Sequence, residues 1–398
     1  MTATELILKG LIVLLSIPAG YLLAVTIAAY LFRKENRAEN RYLNIGVLIP
    51  AHNEEEGIRR TIKSVLDCDY PADRVEVYVI ADNCTDRTAE VARSEGAIVA
   101  ERTDTVNRGK GQALDWFLKQ YLHIYHSADV ITIIDADVTP DRNYLREVSA
   151  SLSQPDTLVV QAYNGVSNPQ AGWRPGLIDA AFNVFNHLRM AGSCRLSGTC
   201  VLKGNGMAFS TSLLERTGWP CHSIVEDMEF SLNLLQEEIS VHYNPDAIIR
   251  SEMVTSGKNA SSQRSRWEGG RFTLVRKMAA PLFSLFIKSR QIRFLIALAE
   301  LATPPLTLLV MLFTLGTAAS LLFLQGQWLL PAFAWWAILL LYVISGQIQR
   351  RAPLSTWMVL AAAPLYILWK IPLYAAMVLR KKSSSWVRTT REQTQQQN

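Results

Sequence analysis

Charged residues are scarce in this chain of 398 residues: Asp, Glu, Lys and Arg make up 19% of it, against 49% hydrophobic residues. An average soluble domain is about 25% charged, so the deficit indicates that part of the chain lies in lipid. The hydrophobicity also excludes intrinsic disorder, and five cysteines are too few for a disulfide scaffold of this length. The net charge is only +5, which argues against a dedicated nucleic-acid-binding protein.

Long uncharged runs occur only towards the two ends. Leu11 to Phe32 contains 22 residues, which at about 1.5 Å each span about 33 Å, enough to cross a bilayer. A cleaved signal peptide is the alternative, but the run lacks a strongly basic start and exceeds the usual signal core of about 7–15 residues. We therefore predict a retained anchor with a cytoplasmic basic flank that contains Arg33, Lys34, Arg37 and Arg41.

Two further runs, Pro305 to Leu324 and Trp328 to Ile348, are long enough to span and close enough to form an antiparallel hairpin. Arg350 and Arg351 follow the second run and predict that this end faces the cytoplasm. Together with the anchor, these runs predict a multi-pass protein of the inner (plasma) membrane whose middle domain is cytoplasmic.

The last apolar run, Leu354 to Leu379, is interrupted by two prolines and Lys370 and is followed by a basic segment. A crossing would put that segment outside the cell. We favour an interfacial or re-entrant segment with Lys370 at headgroup depth, which keeps the basic tail inside.

The middle of the chain alternates apolar strand patterns with helical ones. This alternation predicts an α/β fold with a mostly parallel, doubly wound sheet, in which ligands bind outside the carboxyl ends of the strands. The predicted strands are Asn44 to Pro50, Val75 to Asn83 and Asp129 to Asp137, and the predicted helices are Glu54 to Leu66, Thr85 to Glu95 and Gln112 to Tyr121.

Carboxylates collect where these strands end. Asp135 and Asp137 are separated by one residue after a very apolar run, so both could approach one divalent cation, and hard oxygen ligands suit Mg²⁺ or Mn²⁺. A D-x-D triplet alone is a weak signal, because most such triplets are surface or capping residues. Because this triplet follows a predicted buried strand directly, a metal site and an ordinary capping role are equally good interpretations of it.

The segment from Asn107 to Gly111 combines Arg108 and Lys110 with two glycines just before a predicted helix. Cations and backbone N–H groups at a helix N-terminus form an anion site, although a simple basic turn that caps the helix is the alternative. The segment is not a Walker motif, and no G-x-G-x-x-G follows the first strand, which disfavours a dinucleotide-dependent dehydrogenase.

Several motifs occur together and in order. They are VLIPAHNEEEGI, VIADNCTDRT, NRGKGQALDW, IIDAD, GNGMAF, VEDMEF and QRSRW. Together they resemble the membrane-embedded family 2 glycosyltransferases, the group that includes cellulose and hyaluronan synthases, over about residues 45 to 270. The resemblance implies a GT-A nucleotide-sugar-binding fold and inverting transfer of a sugar from a nucleotide diphosphate sugar, with uridine as the expected nucleotide.

The resemblance also assigns roles to single residues. Asp227 is implied to be the general base, in a motif where Val225 replaces the usual Thr or Ser, and Asp137 is implied to hold Mg²⁺ or Mn²⁺. The residues implied to bind the donor or acceptor are Ala51, Asn53, Glu54, Asp82, Lys110, Asp135, Glu226, Gln263, Arg266 and Trp267.

Cysteines do not add a metal site to this expectation. Cys194, Cys200, Cys221 and His222 fit no short-paired zinc pattern, so we expect reduced thiols of a cytoplasmic domain.

The expected reaction is extension of a polysaccharide at the inner membrane. Single transfer to a lipid or glycan acceptor is the main alternative, and a nonenzymatic nucleotide-binding sensor is a third. The expected partners are the nucleotide-sugar donor, a glycan or lipid-linked acceptor, the bilayer and a partner subunit for export, with no nucleic acid.

The expected domains follow the chain. They are an anchor and basic flank at 1–41, a cytoplasmic GT-A domain at 42–275, interfacial helices at 276–303, a transmembrane or interfacial region at 304–382 and a tail at 383–398.

Overall fold

The computed structural model describes residues 3–34, 41–253, 257–324 and 326–379; within its helices, the side chains of residues 122, 257–267, 373 and 375–379 are not described. The described chain forms two compact units. Of the described residues, the sheet unit contains 33–34, 41–168, 198–253 and 257–259, and the helical unit contains 3–32, 169–197, 260–324 and 326–379. The expected domain limits run continuously along the chain, whereas these units interrupt it at 169–197.

The sheet unit is built on one mixed β-sheet. Its strands are β1 (Ile45–Ala51), β2 (Val75–Asp82), β3 (Ile98–Arg102), β4 (Val130–Ile133), β5 (Val138–Pro140), β6 (Val159–Val166), β7 (Met207–Ser210) and β8 (His242–Ser251). Among the described residues they lie in the order β3-β2-β1-β4-β7-β6-β8-β5. The half formed by β3, β2, β1 and β4 is parallel, whereas β7 is antiparallel to both β4 and β6.

Helices follow most of these strands. In chain order the helices are α1 (Ala3–Tyr30), α2 (Glu55–Leu66), α3 (Thr88–Ser94), α4 (Lys110–Gln120), α5 (Leu122–Tyr125), α6 (Tyr144–Leu152), α7 (Trp173–Phe182), α8 (Arg189–Ser197), α9 (Thr211–Thr217), α10 (Glu226–Gln236), α11 (Gly257–Ser289), α12 (Ile292–Ala302), α13 (Leu306–Phe323), α14 (Leu330–Gln349), α15 (Leu354–Val359) and α16 (Ala363–Leu379). A π-helical turn, Asn183–Leu188, joins α7 to α8.

The core of the sheet unit follows from the hydrophobic pattern. Ile58, Ile62 and Val65 recur at helical spacing on α2 and are fully buried in one cluster with Val47 and Ile49 of β1. The run of β1 is buried on nearly every residue because helices cover both faces of a parallel sheet. The α/β fold class expected from the sequence is therefore observed.

The strand expected at Asp129 to Asp137 is divided. β4 ends at Ile133, and β5 begins at Val138. The backbone N–H of Asp135 donates to the side-chain oxygen of Asn205 at 2.8 Å, so it takes no part in a strand ladder. Asp135 and Asp137 accordingly lie in the link between two strands, where both side chains are partly exposed.

The helical unit has the composition of a membrane region. Four described helical segments are long and apolar enough to cross a bilayer: Ala3–Tyr30, Leu306–Phe323, Gly326–Gln349 and Leu354–Pro372. The first three coincide with the predicted spans. The fourth covers most of the run for which we favour an interfacial position, and its length and composition allow either arrangement.

Close packing joins α8 to α1 within the helical unit. A Cβ atom on Gly192 would lie 2.2 Å from the carbonyl oxygen of Val25, so only glycine allows the two backbones to approach this closely. A buried ion pair connects Arg189 of α8 to Glu300 of α12 at 3.5 Å, and the Tyr21 hydroxyl of α1 donates to Glu300 at 2.6 Å. These contacts make residues 169–197 part of the apolar helical packing.

Two basic residues lie in environments different from those expected. Lys34, expected in a lipid-facing flank, donates to Glu147 at 2.5 Å and to Asp246 at 2.8 Å within the sheet unit. Lys370, expected at headgroup depth, is buried and pairs with Glu268. Protein carboxylates therefore neutralise both lysines.

Candidate active site

The candidate site lies at one edge of the parallel half of the sheet. β2, β1 and β4 are neighbours with the same direction, so their carboxyl ends deliver three loops to one place. These loops contain Ala51 to Glu54, Asp82 to Cys84 and Asp135 to Asp137. The topology thus brings together the polar residues that the sequence analysis singled out at strand ends.

The loops after β1 and β2 are hydrogen-bonded to each other. Asn53 has φ 55° and Asn83 has φ 52°, the left-handed conformation that asparagine tolerates best among residues with a side chain. The side-chain oxygen of Asn53 accepts from the N–H of Thr85 at 2.7 Å, and the N–H of Glu54 donates to Thr88 at 2.8 Å. These bonds hold Ala51, Asn53 and Glu54, the expected nucleotide loop, against the end of β2.

Asp82 is buried at the end of β2 and is held by two donors. Its Oδ1 atom accepts from the Arg102 guanidinium at 2.6 Å and from the Asn83 side chain at 3.0 Å. Sequence reasoning missed Arg102; the signal was a basic residue two positions after the apolar run Ile98 to Ala100, at a strand end where a buried charge requires a partner.

Lys110 and Asp135 form the charged centre of the site. The Lys110 ammonium lies 2.6 Å from Asp135 Oδ1 and also donates to the carbonyl of Gly204. Asn205 donates to the other oxygen, Oδ2, at 2.8 Å, so both carboxylate oxygens of Asp135 are engaged. Asn205 was expected only as part of an acceptor loop, and its amide contact with Asp135 was not foreseen.

Glycine allows α4 to deliver Lys110 to this centre. Lys110 is the first residue of α4, preceded by Gly109 with φ 123°. A Cβ atom on Gly111 would lie 2.3 Å from the carbonyl oxygen of Cys221, so the N-terminus of α4 packs directly on the segment that leads into α10. Arg108 is exposed and makes no hydrogen bond or ion pair with the described part of the chain.

Asp227 lies in the first turn of α10, beside the glycine loop before β7. A Cβ atom on Gly204, which has φ 78°, would lie 3.0 Å from Asp227 Oδ2. A side chain at position 204 would therefore be both strained and crowded against this carboxylate. Gly204 leaves open the face of Asp227 that points to the loop.

The carboxylates of α10 have perturbed proton affinities. Burial, followed by the charge of Asp227, raises the pKa of Glu226 to about 8, and burial also raises the pKa of Asp227. Burial works to lower the pKa of Lys110, but the charges of Asp135, Glu226 and Asp227 raise it overall. One fixed cation and several carboxylates near a cleft edge are typical of acid–base or ion-binding sites.

The metal prediction concerns Asp137. In the described residues no three His, Cys, Asp or Glu side chains are grouped to hold a metal ion. Asp137 supplies a hard carboxylate oxygen on a partly exposed link, which fits Mg²⁺ or Mn²⁺ if a diphosphate completes the ligands. Lys110 and Asn205 engage both oxygens of Asp135, the other carboxylate of the motif.

Three expected substrate-binding residues lie on α11. Gln263, Arg266 and Trp267 belong to this helix, but their side chains are outside the described residues. Their predicted contacts with diphosphate and acceptor therefore stay predictions.

Comparison with known proteins identifies the family. The model of the family described as "Glycosyltransferase like family 2" matches residues 43–270, more than half of the chain. The chain belongs to this family. The membership confirms the enzyme class that the ordered motifs predicted.

The names of curated relatives of this glycosyltransferase give different activities. A probable glycosyltransferase of Bacillus subtilis is 27% identical over 250 residues, covering 61% of this chain and 58% of that protein. A beta-monoglucosyldiacylglycerol synthase of Synechocystis is 28% identical over 58% of this chain and 48% of that protein. A glucomannan 4-beta-mannosyltransferase of Arabidopsis thaliana is 27% identical over 61% and 45%. The glycosyltransferase thus spans about half the length of these relatives.

The fold is confirmed by a solved structure. A mannosyltransferase from Pyrobaculum calidifontis, solved in complex with GDP-Man and Mn²⁺, superposes with a TM-score of 0.56 at 18% identity. The match covers 87% of this glycosyltransferase and 99% of the solved chain, so it extends beyond residues 43–270. At this identity the similarity establishes the GT-A-like fold with its long apolar helices.

Proposed function

We propose that this glycosyltransferase inverts the anomeric configuration while it transfers a sugar from a nucleotide diphosphate sugar to a growing polysaccharide at the membrane. The observation that carries the proposal is the cluster of Lys110, Asp135 and Asp227 around the carbonyl and Cα of Gly204. Asp227 is placed to accept a proton from a hydroxyl, and Lys110, held by Asp135, is placed to stabilise a departing diphosphate.

The proposed reaction is a single displacement. Asp227 takes the proton of the acceptor hydroxyl, the oxygen forms a bond to the anomeric carbon, and the bond from that carbon to the diphosphate oxygen breaks with its electron pair on the diphosphate. Burial raises the pKa of Asp227, which makes its carboxylate a stronger base than an exposed aspartate. We assign to Lys110, and from the family resemblance to Arg266, the role of stabilising the charge that develops on the leaving group, because fixed cations there favour the transition state.

The donor side is assigned to the loops after β1 and β2. We propose that Ala51, Asn53 and Glu54 contact the nucleotide and that Asp82 binds its base and ribose. Asp137 would hold Mg²⁺ or Mn²⁺, which when bound supplies positive charge to the diphosphate. Asp135, Glu226, Gln263 and Trp267 complete the proposed substrate contacts.

The membrane arrangement completes the proposal. Residues 42–275 are proposed as the cytoplasmic catalytic domain, anchored by the helix that precedes them and by the apolar helices after residue 303. We propose that the glycan crosses the inner membrane between these helices with help from a partner subunit. Only four described helical segments are long and apolar enough to span a membrane, which is few for a channel formed by one chain.

Transfer of one sugar to a lipid is a second candidate. It is favoured by the similarity to the beta-monoglucosyldiacylglycerol synthase of Synechocystis, which matches 58% of this chain, against 61% for the glucomannan mannosyltransferase. Both candidates use the same donor chemistry and differ in acceptor.

One experiment distinguishes them. Membranes that contain the full chain are incubated with labelled UDP-glucose, UDP-N-acetylglucosamine or GDP-mannose and Mn²⁺, and the product is separated by size and by solubility in organic solvent. Long, water-soluble chains support polymer synthesis, whereas a single labelled sugar in the lipid fraction supports lipid transfer. Label incorporation from none of a complete set of nucleotide sugars would refute the proposed activity, with membranes containing Asp227→Asn as the control.

The metal is tested separately. Chelator should abolish incorporation, and Asp137→Ala should reduce the metal-stimulated affinity for the nucleotide diphosphate. Full activity in chelator would contradict the role of Asp137.

A further inference from the structure

Arg102 is a buried cation that the proposed reaction does not use. It ends β3, the edge strand of the sheet, and only 5% of its side chain is exposed. Arginine is almost never buried to this extent without partners. Here its two terminal nitrogens divide their contacts between two different segments of the chain.

The first segment is the end of β2. Arg102 Nη1 donates to Asp82 Oδ1 at 2.6 Å, and the Asn83 amide donates to the same oxygen at 3.0 Å. Within the described chain, Asp82 Oδ2 takes part in no hydrogen bond, although the side chain is 11% exposed. One oxygen of Asp82 is therefore fixed and the other is available to a ligand.

The second segment is the turn that leads to α4. Arg102 Nη2 donates to Asp104 Oδ2 at 2.9 Å and to the carbonyl of Asn107 at 2.7 Å. Asp104 Oδ1 in turn accepts from the N–H groups of Val106 and Asn107 at 3.0 and 2.8 Å. This turn ends three residues before Lys110, so one guanidinium connects the loop of Asp82 to the loop that carries Lys110.

Open space adjoins this connection. A surface cavity of about 550 Å³ is lined by Arg102 and Asp104 together with Glu101, Thr103, Thr105 and Trp116. Arg102 and its partner Asp104 therefore lie at the edge of a ligand-sized volume and not in the centre of the core.

We propose that Arg102 is a positioning residue for the nucleoside of the donor. It directs the second oxygen of Asp82 to the N–H groups of the base, and its bonds to Asp104 and to the carbonyl of Asn107 fix the guanidinium in the orientation that this requires. A planar fork of five N–H donors can hold two acceptors at a fixed angle, which a lysine ammonium cannot do. The inference rests on the proposed function, since it requires that Asp82 binds the nucleoside.

The test compares ligands with and without a base. The affinities of UDP, GDP and inorganic pyrophosphate are measured by calorimetry with Mn²⁺ on the purified full chain and on Arg102→Lys and Arg102→Met. Loss of an aimed hydrogen bond to a charged group should weaken the preferred nucleoside diphosphate by about 10–100-fold in Arg102→Met, and less in Arg102→Lys. Pyrophosphate affinity should change by less than about 3-fold, and the ratio of UDP to GDP affinity should approach one.

A matched control is available on the neighbouring helix. Arg93 of α3 pairs with Glu101 of the same strand β3, but both side chains are about half exposed. Arg93→Met should leave all three affinities unchanged, and thermal unfolding reports whether each variant is folded. Arg102→Lys retains the charge and can keep the contact with Asp82, so it serves if Arg102→Met does not fold.

The outcomes separate the possibilities. A selective loss of nucleoside diphosphate binding supports the positioning role. Equal loss of pyrophosphate and nucleoside diphosphate, or unchanged base selectivity in a folded variant, would overturn it while leaving the proposed function intact. Absence of any nucleoside diphosphate binding by the unmodified chain would overturn both.

Discussion

Lys110 and Lys370 each pair with one carboxylate, but the two pairs lie in very different surroundings. The Lys110 side chain is 20% exposed and its partner Asp135 is 37% exposed, at loops where a strand and a helix begin or end. The side chains of Lys370 and Glu268 are 2% and 8% exposed, between apolar helices of the helical unit. The first pair is within reach of a ligand, whereas the second is enclosed.

The number of neighbouring charges differs as well. Lys110 interacts with Asp135, Glu226 and Asp227 together, so the sheet unit concentrates negative charge around one cation. Lys370 pairs with the carboxylate of Glu268 and lies over the rings of Tyr366 and Tyr374. An excess of charge at an accessible edge suits exchange of ions and protons, while a neutral, enclosed pair suits packing in an apolar region.

The largest effect should follow from neutralising the proposed base in the sheet unit. Asp227→Asn should reduce sugar transfer by about 10²–10⁴-fold, because an amide cannot accept the acceptor's proton. The initial rate of labelled-sugar incorporation measures this loss, and calorimetry with UDP or GDP should show that nucleotide binding persists. Asp115→Asn, whose carboxylate pairs with Lys119 elsewhere on α4, is the control. Turnover near that of the unmodified chain would exclude Asp227 as the base.

The enclosed pair should instead determine stability. Lys370→Met leaves Glu268 buried without its cation and should lower the free energy of unfolding by about 3–5 kcal/mol. The double variant Lys370→Met/Glu268→Met should recover most of this loss, since an apolar pair can replace a buried ion pair. Thermal unfolding in detergent measures both.

Exposed pairs provide the reference for that measurement. Lys119→Met removes one partner of Asp115, which also contacts His222, at a lysine that is 68% exposed, and it should change stability by less than about 1 kcal/mol. An equally small effect of Lys370→Met would show that the enclosed pair does not stabilise the helices. By contrast, a double Lys110→Met/Asp135→Leu variant should not recover sugar transfer, however stable it is.

The site of the sheet unit could be predicted from the sequence in part. The edge that gathers Asp82 and Asp135 follows from strand patterns and from the rule for parallel sheets, and both residues lie where that rule places them. Asn205 and Arg102 contact partners 70 and 20 residues away along the chain, so a local pattern can mark a basic residue at a strand end but cannot identify its partner.

The helical unit was predictable only in part. Apolar runs predict the long helices from composition alone, since a span needs about 20 apolar residues. The membership of residues 169–197 depends on the close approach of Gly192 to Val25 and on the pair of Arg189 with Glu300. A glycine and an arginine in a polar-looking helix carry no signal for such packing until the fold brings their partners to them.

A glycine variant sharpens the comparison within the sheet unit. Gly204→Ala adds a methyl group 3.0 Å from Asp227 Oδ2, whereas Gly96→Ala adds one with nothing within 4 Å. Both glycines have positive φ, 78° and 86°, so both substitutions should cost about 1–2 kcal/mol of stability. Only Gly204→Ala should also reduce sugar transfer, by about 10²-fold, because small displacements of a catalytic group are costly. Equal activity of the two variants, compared at equal folded fraction, would show that Asp227 tolerates displacement.

The last effect concerns pH and Glu226. The pKa of this buried carboxyl is raised from 4.5 to about 8, so between these values the folded chain holds a proton that the unfolded chain has released. The folded state therefore loses relative stability as pH rises from about 5 to 8, by about 1.4 kcal/mol per pH unit at most. Glu226→Gln cannot ionise and should remove this contribution, so its thermal midpoint should decline less over that range than the midpoint of the unmodified chain.

Glu237→Gln, at the exposed end of the same helix, should leave the decline unchanged. Parallel slopes for Glu226→Gln and the unmodified chain would mean that Glu226 is ionised at neutral pH. The charge around Lys110 would then be one unit more negative than proposed. Such a result would strengthen the contrast with the neutral pair at Lys370, because the accessible edge would hold a larger uncompensated charge.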